Sequence, residues 1–370
     1  MNYTILIMAG GTGGHIFPAL AVADRLKQEG WRVVWLGTLN GMEARVVPGR
    51  GYPMEYIAFS GVRGKGLLRM LMLPLALVWA FWQSARIIRT VRPDVVLGVG
   101  GYVTFPAGMM ASLLNRPLAI HEQNSVAGLS NRALAVVADR ILAGFPQAFE
   151  EIIASPIARF LKPNVKVEWT GNPVRAEITA LPDPAGRFAE RQGSLNLLVV
   201  GGSLGAQILN QVVPQALGLL DPTQRPRTTH QAGEKHISDL RSAYSKAGVV
   251  AELKPFIDDM AAAYGTCDLI ICRAGALTIA EICAAGVASI LVPFPHAVDD
   301  HQTMNARFLG DAGAAVLVPQ RELTPQRLAD IIKAFTRDQL QRMASKARAL
   351  AKPEAANQVA HVCMELAHAA

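Results

Sequence analysis

Residues 4–26 read TILIMAGGTGGHIFPALAVADRL, and residues 195–217 read LNLLVVGGSLGAQILNQVVPQAL. At one constant offset, each stretch is an apolar strand, then Gly-Gly, then Thr or Ser, then a glycine-containing turn, then an amphipathic helix. Each looks like the first strand, turn and helix of its own doubly wound parallel sheet. The chain is therefore expected to be α/β, with two Rossmann-like domains in tandem facing each other across a cleft.

The rest of the chain extends that pattern. Short apolar runs follow at Arg32–Leu36, Val95–Val99, Leu118–His121, Arg140–Ala143 and Val165–Trp169 in the first half. In the second they fall at Arg227–His230, Val249–Lys254, Leu269–Cys272, Ala288–Val292 and Ala315–Val318. Continuous apolar runs suit strands buried on both faces, and helices between them imply parallel βα units. Gly171-Asn172-Pro173 marks a hinge. The expected domains are residues 1–172 and 173–352, with a last helix, 353–370, crossing back to the first.

Composition narrows the class. The 370 residues carry 36 Lys and Arg against 29 Asp and Glu, a net charge of +7; 51% are hydrophobic and only 18% charged, which excludes disorder. Cys267, Cys272, Cys283 and Cys363 fit neither a disulfide framework nor a paired zinc motif. They read as small hydrophobes in a reducing compartment. Thr4–Ala9 is too short for a secretory signal, and no segment reaches about 18 apolar residues. A soluble, cytoplasmic, mildly basic protein with no nucleic-acid partner is expected.

Neither glycine turn is a dinucleotide fingerprint or a Walker loop. What remains is general: a glycine turn entering a helix offers backbone N–H groups and the positive end of a dipole, which suit a phosphate or a developing anion. Ser203 could serve such a site or be merely an N-cap. His15 starts the first helix, where the dipole favours the neutral imidazole that a general base needs near pH 7; a structural histidine is the alternative. Glu122 is the reserve base. A third turn, Gly98–Tyr102, and the run His121-Glu122-Gln123-Asn124 sit at carboxyl ends of strands, where ligands of open sheets bind. In Arg273–Glu281, the amides of Ala276, Leu277 and Thr278 could hold a diphosphate and Glu281 a ribose diol, although Thr278-x-x-Glu281 is also a capping box. The loop Pro293–Gln302 holds two His and two Asp at no standard metal-ligand spacing, so no metal is expected there.

In order, GGTGGHIFPA (10–19), GVGGYVTFPAG (98–108), HEQNSVAGLSNR (121–132), GNPVR (171–175), GGSLGA (201–206), FIDDMAAAY (256–264), RAGALTIAE (273–281) and DDHQTMNA (299–306) closely resemble the MurG family of bacterial peptidoglycan glycosyltransferases. The resemblance spans nearly the whole chain. It implies the GT-B fold and transfer of N-acetylglucosamine from UDP-GlcNAc to the C4 hydroxyl of the muramyl sugar of lipid I. The products are lipid II and UDP, with inversion at the anomeric carbon. The family pattern places the backbone of Ile257 at the uracil and Arg175 near the nucleotide. Ser203 and the Ala276–Thr278 turn would hold the diphosphate, within a donor segment that continues through Ile279 and Ala280 to Glu281 at the ribose. Asn124 and Gln302 would contact the GlcNAc, Thr12, Gly13 and Gly14 would complete the cleft, and His15 would be the base. His301 stands where many members have Gln, which leaves its role open. No carboxylates lie at DxD spacing, so no cofactor or metal requirement is expected; stimulation by Mg²⁺ is left open. Two rivals are an epimerase of similar architecture and a non-catalytic nucleotide-sugar sensor.

Met70–Trp82, MLMLPLALVWAFW, is thirteen residues without a charge. As a helix it would be about 20 Å long, short of a hydrocarbon core of about 30 Å. Arg63, Lys65 and Arg69 precede it and Arg86, Arg89 and Arg92 follow. With Trp79, Phe81 and Trp82 it reads either as an interfacial helix on anionic phospholipid or as a core helix. The lipid-linked acceptor implied by the resemblance favours the first. Other cell-wall synthesis or division proteins are conceivable partners on the cytoplasmic face of the inner membrane.

Overall fold

The computed structural model describes residues 3–59, 72–162, 165–202, 205–297 and 300–369. They form two compact units, one of Met1–Pro173 with Pro353–Ala370 and one of Val174–Lys352.

In the first unit, seven strands make one sheet: β1 (Thr4–Ala9), β2 (Arg32–Gly37), β3 (Met54–Tyr56), β4 (Val95–Gly100), β5 (Leu118–Glu122), β6 (Arg140–Ala143) and β7 (Lys166–Trp169). Their order is β3-β2-β1-β4-β5-β6-β7 and every pairing is parallel. Alternation along β1 sets both faces. Ile5, Ile7 and Ala9 pack with Ile16 and Leu20 of helix Gly13–Gln28 and with Val359, Cys363 and Leu366 of helix Ala355–His368. Leu6 and Met8 pack on the other side with Ile88 and Val91 of helix Leu73–Val91 and with Ala107 and Ala111 of helix Thr104–Leu113.

The second unit repeats the plan with β8 (Asn196–Val200), β9 (Arg227–Gln231), β10 (Glu252–Lys254), β11 (Leu269–Cys272), β12 (Ala288–Leu291) and β13 (Ala315–Leu317). The order is β10-β9-β8-β11-β12-β13, again all parallel. In each unit the strand order reverses beside the glycine-led strand, between β1 and β4 and between β8 and β11. Those reversals open crevices at the strands' carboxyl ends, the usual ligand position in open α/β sheets.

Two differences from the sequence reading have physical causes. β3 is missing from it because Met54-Glu55-Tyr56 is a half-buried three-residue edge strand paired only to β2, with no apolar run to betray it. The run Val249–Lys254 is strand only from Glu252, since Val250 is 96% exposed and follows a helix end capped by left-handed Gly248.

Candidate functional site

The first crevice is built from two glycine turns. Helix Gly13–Gln28 starts after Thr12, whose side chain makes no capping bond, so the amides of Gly13 and Gly14 have no intrahelical acceptor and face outward from a positive helix end. Glu43, wholly buried, braces the turn from beneath. Its Oε2 accepts from the Gly11 N–H at 3.1 Å, and its Oε1 accepts from the N–H and hydroxyl of Thr38 at 2.9 and 2.8 Å. At the end of β4, Gly101 has φ +95°, and a Cβ there would stand 2.3 Å from the Gly10 carbonyl oxygen. Only glycine lets the two turns approach so closely.

His15 lies against Gly100, and its Nδ1 is 2.7 Å from Gln123 Oε1. Gln123 Nε2 is 2.9 Å from His121 Nδ1 and donates to the His121 carbonyl at 3.2 Å. His121 Nε2 is 2.9 Å from the Gly171 carbonyl oxygen. Burial pulls the His121 pKa below its ordinary value. Beside it, Glu122 is 3% exposed and accepts from Asn124 N–H at 3.0 Å and Nδ2 at 3.2 Å on one oxygen, and from Gly128 N–H at 3.0 Å and Asn131 Nδ2 at 2.9 Å on the other. These bonds tie the Glu122 carboxylate into the loop after β5, where it holds Asn124.

In the second unit, helix Ala276–Ala285 begins after Gly275, with no side-chain cap. Thr278 is thus inside the first turn, and the capping-box alternative for Thr278 and Glu281 is excluded. The amides of Ala276, Leu277 and Thr278 are the open ones; Ile279 already donates to the Gly275 carbonyl at 3.0 Å and its side chain is fully buried, while Ala280 is half-buried. Glu281 accepts from Arg175 Nη2 at 3.0 Å and from the Tyr264 hydroxyl at 3.1 Å. The structure therefore brings together Arg175 and Glu281, a hundred residues apart, and adds Tyr264, which the sequence reading missed. Ile257 is nearly buried in the loop after β10. Gln231 ties that loop to the β8 turn, donating to the carbonyls of Gly202 and Pro255 at 3.1 Å each. Ser203 lies outside the described residues.

Arg273 is a strut: it donates to the Val292 and Pro293 carbonyls at 3.1 and 3.2 Å and to Gln320 Oε1 at 2.8 Å. The loop it holds packs on Gln302, which lies not in that loop but in the first turn of helix His301–Gly310, and whose Oε1 accepts from the Phe294 N–H at 2.9 Å. With its oxygen so used, Gln302 offers its NH₂ group. Among the described residues no cluster of three or more His, Cys, Asp or Glu is placed to hold a metal. All four cysteines are free and buried, and burial pushes their thiols up.

Helix Leu73–Val91 carries Pro74 in its first turn. Leu75, Val78, Trp79 and Trp82, spaced as one helical stripe, are exposed. The Trp79 and Trp82 rings stack at 4.7 Å, and the Arg86 guanidinium lies 6.0 Å from the Trp82 ring. Arg86 and Arg89 are exposed. Phe81 differs from its expected place on this stripe, because it turns inward against Phe105 with ring centroids 6.0 Å apart. Arg63, Lys65, Arg69 and Met70 fall outside the described residues. No helix among the described residues is long and apolar enough to cross a membrane.

Residues 5–143 match the glycosyltransferase family 28 N-terminal domain, and residues 196–359 match its C-terminal domain. The UDP-N-acetylglucosamine--N-acetylmuramyl-(pentapeptide) pyrophosphoryl-undecaprenol N-acetylglucosamine transferase of Dechloromonas aromatica (strain RCB) is 60% identical over 367 residues, covering 99% of this chain and 100% of that protein. The crystal structure of Acinetobacter baumannii MurG is similar with a TM-score of 0.84 at 40% identity, over 98% of this chain and 99% of that one. A UDP-GlcNAc 2-epimerase from Neisseria meningitidis matches at TM-score 0.68 and 12% identity over 98% of this chain and 100% of that one, a likeness of fold alone.

Proposed function

This chain belongs to the MurG family within glycosyltransferase family 28, and from that premise we propose that it moves GlcNAc from UDP-GlcNAc to the C4 hydroxyl of the muramyl sugar of lipid I. The observation that carries this reading is full-length identity of 60% to a relative bearing that activity in its name. The open amides and paired side chains described above support it chemically.

In this mechanism the acceptor oxygen attacks the anomeric carbon opposite the leaving diphosphate. The C1–O bond to the acceptor forms, the C1–O bond to UDP breaks with its electron pair going to UDP, and the acceptor proton passes to His15. Inversion follows from the single displacement. The amides of Ala276–Thr278 and their helix dipole stabilise the departing negative charge, work that donors fixed before the reaction do well. Glu281 accepts from the ribose hydroxyls once Arg175 turns toward the nucleotide, and the main chain of Ile257 reads the uracil. Asn124 and the NH₂ group of Gln302 hold the GlcNAc, and Thr12, Gly13 and Gly14 complete the cleft around UDP-GlcNAc. The exposed stripe Leu75–Trp82, flanked by Arg86 and Arg89, rests on anionic phospholipid and brings the enzyme to its lipid-linked acceptor on the cytoplasmic face.

Radiolabelled UDP-GlcNAc with a lipid I analogue tests the proposal. A disaccharide-lipid product that requires both substrates is expected. Conversion of the sugar nucleotide without an acceptor would favour the epimerase reading instead, and binding without turnover a sensor.

A further inference from the structure

We infer that the Gly171 carbonyl, acting through His121 and Gln123, fixes the ring proton of His15 on Nδ1 and so leaves Nε2 as the atom that takes the acceptor's proton. The inference rests on the reading of His15 as the base and adds two positioning residues, His121 and Gln123, to it.

The argument uses only which atoms can donate. A carbonyl oxygen accepts and never donates, so His121 Nε2, 2.9 Å from the Gly171 oxygen, carries a hydrogen. His121 is 1% exposed, and burial favours its neutral ring, which then has a bare Nδ1. One end of the Gln123 amide meets that bare nitrogen at 2.9 Å and the His121 carbonyl at 3.2 Å. Both neighbours demand a donor, so this end is the NH₂ group. The opposite end is therefore oxygen, and it lies 2.7 Å from His15 Nδ1. An amide oxygen accepts only; His15 Nδ1 must be the N–H.

Three supports keep the relay in register. The Gln123 carbonyl accepts from Asn172 Nδ2 at 2.9 Å, so main chain and side chain of Gln123 are both held. Gly171 and Asn172 are the last residues before Pro173, where the first unit's leading segment ends. At Gly100 a Cβ would stand 2.5 Å from His15 Nδ1, so β4 ends in a residue that leaves room for the ring. Gln123 and Gly100, which lie against His15, do not titrate; His121 and Glu122 are the titratable groups behind them. The orienting partner of His15 is thus a neutral amide, which sets the tautomer without a carboxylate's charge. After proton transfer to Nε2, the imidazolium keeps its Nδ1–H bond to Gln123 and releases the new proton to solvent.

Long-range ¹H–¹⁵N spectra of the full-length protein labelled at histidine read the tautomer directly, with the His15 signals assigned by their loss in His15→Ala. His15 should carry its proton on Nδ1 in the wild type and lose that preference in Gln123→Met. The same variant should lose about 10- to 100-fold in kcat at unchanged KM for UDP-GlcNAc, part of the usual general-base contribution. Gln123→Glu keeps an acceptor for His15, but its far oxygen meets the His121 Nδ1 and carbonyl, which both demand a donor, so that oxygen should hold a proton; the variant should retain the Nδ1–H form of His15 with the acid limb of kcat little moved. An Nε2–H ring in the wild type overturns the inference, as does Gln123→Met with wild-type kcat and pH profile. If Gln123→Met fails to fold by circular dichroism, the wild-type spectrum decides alone. His15→Ala with near wild-type turnover would instead remove the base reading and the relay's purpose with it, whereas an inactive His15→Ala beside an Nε2–H spectrum would sink only the relay.

Discussion

Glu281→Ala should weaken both the fold and the donor site, while Glu281→Gln should weaken mainly the donor site. Tyr264 is 1% exposed and its hydroxyl donates to Glu281 at 3.1 Å. Burial also pushes its pKa well up, so it stays a donor at any working pH. Truncation at residue 281 strands that hydroxyl, a loss of about 1–3 kcal/mol. The ion pair to Arg175, whose side chain is 44% exposed, adds at most about 1 kcal/mol. A total near 2 kcal/mol lowers the melting temperature by about 4–8 °C for a unit of this size. Gln retains an acceptor for Tyr264 and should stay within about 1 kcal/mol of wild type. Donor affinity responds differently. A carboxylate bonded to a ribose diol contributes about 1.5–3 kcal/mol, so Glu281→Ala should raise the Kd for UDP-GlcNAc by about 10- to 150-fold. Calorimetric titration and thermal melting measure the two effects on the same samples. Repeating Glu281→Ala in the Tyr264→Phe background should recover about 1 kcal/mol or more of the stability loss, because no hydroxyl is then stranded. Wild-type donor affinity in Glu281→Ala would refute the diol contact, and an undiminished stability loss in the Tyr264→Phe background would refute the Tyr264 argument.

Other outcomes follow from the same geometry. His15→Ala should lower kcat by about 10²–10⁴ with little change in donor Kd, and a near wild-type rate would leave the base unassigned. Wild-type protein should co-sediment with anionic liposomes in a salt-sensitive way, and Trp79→Asp/Trp82→Asp, folded by circular dichroism, should stay in solution; a folded variant that still sediments would put the membrane contact elsewhere. His230 is fully buried between Asn210 and Tyr244, and desolvation lowers its pKa to about 3. Between that value and the unfolded value near 6.5 the unfolded chain takes up a proton that the folded one refuses. Its contribution is whole above about pH 6.5 and falls by up to about 1.4 kcal/mol per pH unit as pH drops toward 3. Melting curves across that range should show the slope flattened in His230→Gln; an unchanged slope would exonerate His230.

Much of the fold was legible because its determinants are local. The repeated strand–turn–helix at residues 4–26 and 195–217 fixes where each sheet begins, and buried parallel strands announce themselves as apolar runs. β3 was not legible, since an edge strand of Met54-Glu55-Tyr56 needs its neighbour β2 to be a strand at all. For the candidate site, the sequence offers single positions but not their pairings. His15 and Gln123, or Glu281 with Arg175 and Tyr264, meet only through the strand order, so spacing along the chain carries no trace of them. Glu43 shows the limit most plainly: a single acidic residue after Gly41-Met42 looks like surface, yet it is buried and holds the N–H groups of Gly11 and Thr38.

The helix Ala355–His368 has a consequence for biosynthesis. Val359, Cys363 and Leu366 belong to the same apolar cluster as Ile5 and Leu20, so the first unit's core joins residues from both sides of the second unit in sequence. A ribosome makes Ile5 and Leu20 long before Leu366, and a cluster that needs both cannot close until helix Ala355–His368 has been made and released from the tunnel. The second unit is continuous from Val174 to Lys352 and draws on no later residue. The glycine turn and His15 are made long before helix Ala355–His368, yet helix Gly13–Gln28 gains that packing partner only when it arrives. A nascent chain released as far as residue 352 would carry every residue of the second unit and a first unit still missing one wall.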